Sequence, residues 1–155
     1  MPELAAHEHI SSILHTAFLT PDWLQELGIN KYVAVNRQIT GFVVKALELS
    51  PSTRVANISS GAAAIFEDYL VGNDNPCLSD AQKLYGRLKL EEESALSSRA
   101  CTLILRIYSL SGRWMRNHQK YALGQFLLQA TAGERIIIKA RHPVIRGFGN
   151  ASDIT

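Results

Sequence analysis

Apolar positions along the chain change period in a regular way. A short apolar run, "SILHTAF" (12–18), reads as a buried strand, and "TPDWLQELG" (20–28) follows as a helix with Thr20 as N-cap, Pro21 in its first turn and Gly28 as its stop. In "NKYVAVNRQITGFVVKALEL" (30–49), Tyr32, Val35, Ile39, Phe42, Val43, Ala46 and Leu47 fall near one stripe. That spacing predicts a long amphipathic helix ended by Ser50-Pro51. "TRVANISS" (53–60) is a predicted strand. The residues after it, "AAAIFEDYLVGNDNPCL" (62–78), read as a loop because Gly, Asn and Pro break them up. "SDAQKLYGRLKLEEESALSS" (79–98) is a predicted helix opened by a Ser79-x-x-Gln82 capping box. "CTLILRIYSL" (101–110) is apolar almost without interruption, as in strands buried on both faces of a parallel sheet. A helix over 117–133, with Gly133 past its end, and a last strand, "RIIIKA" (135–140), complete the pattern.

Strand and helix thus alternate, which predicts an α/β fold: a parallel sheet with flanking helices. Ligands of such sheets sit beyond the carboxyl ends of the strands. That points to His15-Thr16-Ala17, Ser59-Ser60 and Tyr108-Ser109.

Composition narrows the classes. The 155 residues are 46% hydrophobic and 19% charged, which suits a chain that buries a core. A formal charge of +2 is too small to imply nucleic acid. Six basic residues, Arg113, Arg116, Lys120, Lys139, Arg141 and Arg146, suit either an anionic ligand or a solvated face. Cys77 and Cys101 form neither a metal spacing nor a disulfide framework, so a reducing, cytoplasmic setting is expected. The N-terminus lacks the basic start and apolar run of a signal peptide, and no apolar run reaches membrane-span length. His7 and His9 have no third ligand at metal-site spacing, so no metal is expected.

The sharpest chemical signal is "LYGRLK" (84–89), which puts Tyr85 and Lys89 one helical turn apart. A free phenol has a pKa of about 10 and is a poor base at neutral pH. A neighbouring ammonium favours the phenolate and makes Tyr85 a candidate general acid/base. Ser60, at the end of a strand, could stabilise charge on the same substrate oxygen, and Ser59 is its alternative. Both serines also suit an ordinary strand end, and Tyr-x-x-x-Lys alone is a common pattern.

Taken in order, these segments resemble the short-chain dehydrogenase/reductase superfamily, in particular its extended branch of NAD-dependent epimerases and dehydratases. "ILHTAF" resembles the strand that ends in a His-x-Ala segment beside the cofactor. "YVAVNRQITGFVVKAL" resembles the next helix, with Tyr-x-x-x-Asn. "VANISSGAAA" resembles the strand that delivers the catalytic serine, and "YGRLKLEEE" the Tyr-x-x-x-Lys helix. "LILRIYSLSG", "ALGQFLLQATAGERIII" and "IRGFGNASDIT" resemble the following strand and the start of the substrate-binding part, with its Arg-x-Phe-x-x-x-x-Asp pattern.

The resemblance implies a partial Rossmann-like NAD(P)-binding domain over 1–112 and the start of a substrate-binding part over 113–155. It implies hydride transfer on a sugar nucleotide or a related carbonyl or alcohol compound, with Ser60, Tyr85 and Lys89 catalytic and NAD or NADP as cofactor. Lys89 would also hold the nicotinamide ribose. Ala17, Asn36, Tyr85 and Tyr108 would lie beside the cofactor, with His15 as a structural or backbone contact. Asn36 would hold either local structure or a water near Lys89. Ser109 and Arg146 would face the substrate, though Arg146 equally suits the surface. A homodimer through helices 30–49 and 79–98 is also implied.

Two departures stand against these matches. Neither a Gly-x-x-Gly-x-x-Gly turn nor a following acidic residue is present to anchor the dinucleotide, and Ser109 stands where the family has asparagine. The chain is therefore expected to correspond to the middle of such an enzyme, truncated at both ends. Its exposed sheet edge and apolar faces would leave it marginally stable or paired with a partner. The competing reading is a non-catalytic remnant or binding module that cannot hold dinucleotide alone. A flavodoxin-like or receiver-like domain would need acidic residues or a phosphate loop at the strand ends, and neither is present.

Overall fold

The computed structural model describes residues 10–72, 78–99, 101–113, 119, 121–140 and 147–154. The chain divides into two compact units, Met1–Ile107 and Tyr108–Thr155.

The first unit is an α/β layer. Strands β1 (Ser12–His15), β2 (Arg54–Ser60) and β3 (Thr102–Ile107) form a parallel sheet in the order β1-β2-β3. After β1 come a 3-10 turn (Pro21–Trp23), a short helix α1 (Leu24–Leu27) and the long helix α2 (Ile29–Leu49). The segment 20–28 is thus broken into two pieces rather than one helix, and Thr20 makes no side-chain capping bond. Gly28, at φ +72°, ends α1 and starts α2, a backbone conformation that favours glycine.

Helix α3 (Gly61–Leu70) directly follows β2, where a loop was predicted from the Gly, Asn and Pro that come later. Ser60 caps it by accepting a hydrogen bond from Ala62 N–H at 3.2 Å, and the three alanines that follow favour helix. The breakers lie past its end, at Gly72 and beyond. Helix α4 (Asp80–Ser97) opens with the predicted capping box. Ser79 N–H donates to Gln82 Oε1 at 2.9 Å, and Gln82 N–H donates to Ser79 Oγ at 3.3 Å.

The core lies between the sheet and helices α2 and α4. Ile13, Val55, Val43, Ala46, Leu47 and Leu96 pack together there. Phe42, placed on the buried stripe of α2 by its spacing, is exposed at its edge. The opposite sheet face carries Leu14, Leu103 and Leu105, which are 67%, 56% and 37% exposed. β3 is therefore not buried on both faces: its side chains alternate between a half-covered and an open side. None of the described helices is long and apolar enough to cross a membrane.

In the second unit, β4 (Leu110–Ser111) pairs in parallel with β5 (Gly149–Asn150), and the unit also contains helices α5 (Ala122–Thr131) and α6 (Ala151–Ile154). The second unit begins at Tyr108. The strand predicted over 135–140 does not form. Ile136, Ile137 and Ile138 are exposed, and Ile137 N–H donates to Gln129 Oε1 at 3.1 Å instead of to a strand. A β-branched run becomes a strand only where a partner edge meets it.

Candidate active site

The buried stripe of α4 is unusual for a core-facing surface. It contains Gly86, Leu88, Lys89, Glu92, Glu93 and Leu96, so three charged residues point inward. Gly86 makes the close approach possible. A Cβ there would lie 2.6 Å from Ala62 O and 2.7 Å from Phe66 Cβ, both on α3. The turn of α4 that carries Tyr85 is thereby pressed against the first turn of α3, which Ser60 caps.

Each inward carboxylate of α4 is met by a pair of residues that face each other across the sheet. His15 of β1 and Asn57 of β2 are register partners. His15 Nε2 lies 3.0 Å from Glu92 Oε1, and Asn57 Nδ2 donates to Glu92 Oε2 at 3.3 Å. Asn57 Oδ1 is buried without a hydrogen-bond partner. Ser59 of β2 and Arg106 of β3 are likewise register partners, and both bond to Glu93. Ser59 Oγ donates to Glu93 Oε1, and Arg106 Nη2 donates to Glu93 Oε2 at 2.6 Å. Arg106 also pairs with Glu67 of α3.

Lys89 is enclosed by this cluster and only 4% exposed. Its Nζ donates to Glu92 Oε2 at 2.9 Å and to Ile58 O at 3.2 Å, and lies 3.8 Å from the centre of the Phe18 ring. The same ring meets Tyr85 edge-on at 5.8 Å, so Tyr85 and Lys89 converge on Phe18, just beyond the carboxyl end of β1. Burial lowers the pKa of the Lys89 ammonium, against the opposing pull of Glu92 and Glu93. Burial alone would raise Glu92, but the hydrogen bond from His15 and the charge and hydrogen bond of Lys89 outweigh it, so its carboxyl is held below its ordinary value. The two shifts are compatible. Glu92 has three donors to compensate its burial, whereas Lys89 has one carboxylate and one carbonyl.

Asn36, 1% exposed, engages the backbone after β1: Leu19 N–H donates to its Oδ1 at 2.8 Å, and its Nδ2 donates to Leu19 O at 3.4 Å. Tyr32, one turn earlier, donates its Oη–H to the same carbonyl at 2.9 Å. Burial, reinforced by the nearby Tyr85, raises the Tyr32 phenol to about 12 despite the hydrogen bond with Asn36. Tyr32 and Asn36 thus clamp the strand-to-helix connection that carries Phe18. Ala17 is exposed at the end of β1. In the second unit Tyr108 is 67% exposed, and the Ser109 carbonyl accepts from Gly149 N–H at 2.9 Å. Arg146 lies outside the described residues, as do His7, His9 and Cys77. Among the described residues no three His, Cys, Asp or Glu side chains group as a metal site.

Sequence reasoning missed Phe18, Asn57, Glu92, Glu93 and Arg106. For the two glutamates a signal was present: 85, 89, 92, 93 and 96 fall on one face of a helix. No protein-family model matches the chain, and neither a curated protein nor a solved structure gives a match.

Proposed function

We propose that the first unit is the catalytic half of an NAD(P)-dependent epimerase, dehydratase or reductase of the extended short-chain type, built on part of a Rossmann-like sheet. The observation that carries the reading is the convergence of Tyr85 and Lys89 on Phe18, beyond the carboxyl end of β1, with Ser60 ending the neighbouring strand. This is where a parallel sheet offers its ligands a site.

Of the residues proposed for the nicotinamide ribose, Ala17 is exposed after β1, and the Lys89 ammonium, buried beneath the Phe18 ring, would reach the ribose once that ring moves aside. No glycine-rich turn suits the pyrophosphate. The dinucleotide would supply or accept the hydride. The proton falls to the chain. When a carbinol is oxidised, its O–H proton passes to Tyr85 Oη; when a carbonyl is reduced, Tyr85 returns it. The Lys89 ammonium favours the Tyr85 phenolate. Ser60 uses an oxygen lone pair to cap α3, which leaves its O–H proton as a donor for the substrate oxygen. A small substrate such as a nucleotide sugar, a cytoplasmic setting and pairing of two copies through α2 and α4 belong to the same proposal.

One observation favours a non-catalytic role instead: Lys89 is engaged by Glu92 and Ile58 O and roofed by Phe18. Fluorescence titration of the chain with NADH and NADPH separates the two. Saturable binding that Lys89→Ala weakens and Tyr85→Phe leaves intact supports the enzyme. A folded chain that binds neither nucleotide refutes it.

A further inference from the structure

We infer that Glu92 is the positioning residue for Lys89: a buried carboxylate, anchored to the sheet by His15 and Asn57, that fixes the ammonium in place and keeps it charged beside Tyr85. The inference rests on the role proposed for Lys89. A charge taken out of water must be paired and hydrogen-bonded. Glu92 divides its two oxygens accordingly. Oε1 meets His15 Nε2 at 3.0 Å, and Oε2 accepts from Lys89 Nζ at 2.9 Å and from Asn57 Nδ2 at 3.3 Å.

The two anchors are not incidental. They stand side by side in the register of β1 and β2, so the sheet presents both donors to one carboxylate. With its position set from below, Glu92 reaches back three residues along α4 and sets the position of Lys89. A side chain needed only to pin α4 to the sheet would do so better as a hydrocarbon, because burying an ion pair gains little stability. The arrangement makes sense where an ammonium is wanted at that spot.

The groups that face Lys89 are few. From α4 come Glu92, in contact, and Glu93, through its charge; from β2, the Ile58 carbonyl; and from the segment after β1 the Phe18 ring, which Tyr85 also meets, while His15 and Asn57 reach Lys89 only through Glu92. Arg106 of β3 is directed at Glu93, and Tyr32 of α2 is directed at the Leu19 carbonyl. Glu93 is held by Arg106 and Ser59, which leaves Glu92 as the counter-charge in contact with Lys89.

The test is an NMR pH titration of the full chain labelled at lysine, with Lys89 assigned from Lys89→Arg. Glu92→Gln keeps the shape and removes the charge, so Lys89 should lose its proton at a pH lower by about 1–3 units. His15→Leu should move it the same way by less, and His15→Gln, which restores an N–H donor, should bring it back. A folded Glu92→Gln with an unmoved Lys89 overturns the inference. If Glu92→Gln does not fold by circular dichroism, Glu92→Asp decides: set back by one methylene, it lowers the Lys89 midpoint if the inference holds and leaves it unmoved if not.

NADH titrations run beside these separate the two proposals. Glu92→Gln should bind NADH like the unmodified chain at low pH and lose affinity about tenfold per unit above the new Lys89 midpoint. If Lys89 moves as expected but the unmodified chain binds no NADH, the dehydrogenase reading fails and the hold of Glu92 on Lys89 stands. If NADH binds through Lys89 while Glu92→Gln changes neither midpoint nor affinity, the inference fails and the dehydrogenase reading stands.

Discussion

Replacing Gly86 by alanine should destabilise the chain, whereas the same replacement at Gly41 should stabilise it. Both glycines lie inside helices, where alanine is favoured by about 0.8–1 kcal/mol. At Gly41, on α2, an added Cβ meets nothing within 4 Å, so most of that gain is kept. At Gly86 the Cβ would lie 2.6 Å from Ala62 O and 2.7 Å from Phe66 Cβ. One of these atoms is backbone and the other is the first carbon of its side chain, so neither can rotate away. Helices α3 and α4 must part, and overpacking of this kind costs about 1–3 kcal/mol. Set against the helix gain, Gly86→Ala should lose up to about 2 kcal/mol, and because the gain is common to both sites the two variants should lie about 1–3 kcal/mol apart. Urea unfolding followed by far-UV circular dichroism resolves this easily. With a slope of about 1–3 kcal/mol per molar urea, the midpoints should differ by roughly 1 M. Gly86→Ala as stable as Gly41→Ala would mean that α3 and α4 do not press together at this point, and the placement of Tyr85 against the turn capped by Ser60 would fall with it.

Three further outcomes follow from the same contacts. Lys89→Met should lose up to about 3–5 kcal/mol by leaving the buried Glu92 with only His15 and Asn57 to compensate it, and adding Glu92→Leu should recover much of it, read as urea midpoints of the single and double variants. Asn36→Ala should lose about 1–3 kcal/mol by stripping Leu19 N–H of its buried acceptor, and Asn36→Asp should not restore stability, because it turns a carboxylate oxygen toward the Leu19 carbonyl. Glu92, whose carboxyl is held below its ordinary value in the fold, contributes stability above its unfolded pKa and loses it as pH falls through the lower folded value. The unmodified chain should therefore weaken more than Glu92→Gln between about pH 5 and about pH 3 in urea melts, and equal losses would refute this.

Local patterning shows most clearly where local physics decides. The capping box at Ser79 and Gln82, the stop at Gly28 and most of the stripe of α2 need no knowledge of distant residues, and the structure has them, with Phe42 the exposed exception on that stripe. The misses are places where a distant partner decides. "RIIIKA" has strong strand character, but no strand among the described residues pairs with it. "TLILRI" is apolar enough for two covered faces, yet Leu103 and Leu105 point to open space, because covering the second face depends on other elements. Over 62–78 the breakers Gly72, Asn73, Asn75 and Pro76 all follow the alanine-rich stretch, and the helix capped by Ser60 runs to Leu70 before it meets them.

The site divides along the same line. Tyr85 and Lys89 were legible because they belong to one helix and need only its period. Glu92 and Glu93 belong to that helix too, but "EEE" at 91–93 resembles a solvated face, and Glu91 does lie outside, bonded to Arg37 at 2.9 Å. What turns its two neighbours inward is the sheet. Register sets His15 against Asn57 and Ser59 against Arg106, and each pair supplies the donors that a buried carboxylate requires. Neither pair can be recognised without knowing which strands adjoin, and the burial of the glutamates cannot be explained without the pairs. A charged triplet in the middle of a helix is therefore better read with the helical period and the strand register together. By that reading Lys89 is more than the lysine that follows a tyrosine by four. It is the outer member of a chain of contacts that begins in the sheet, passes through Glu92 and ends one turn from the phenol.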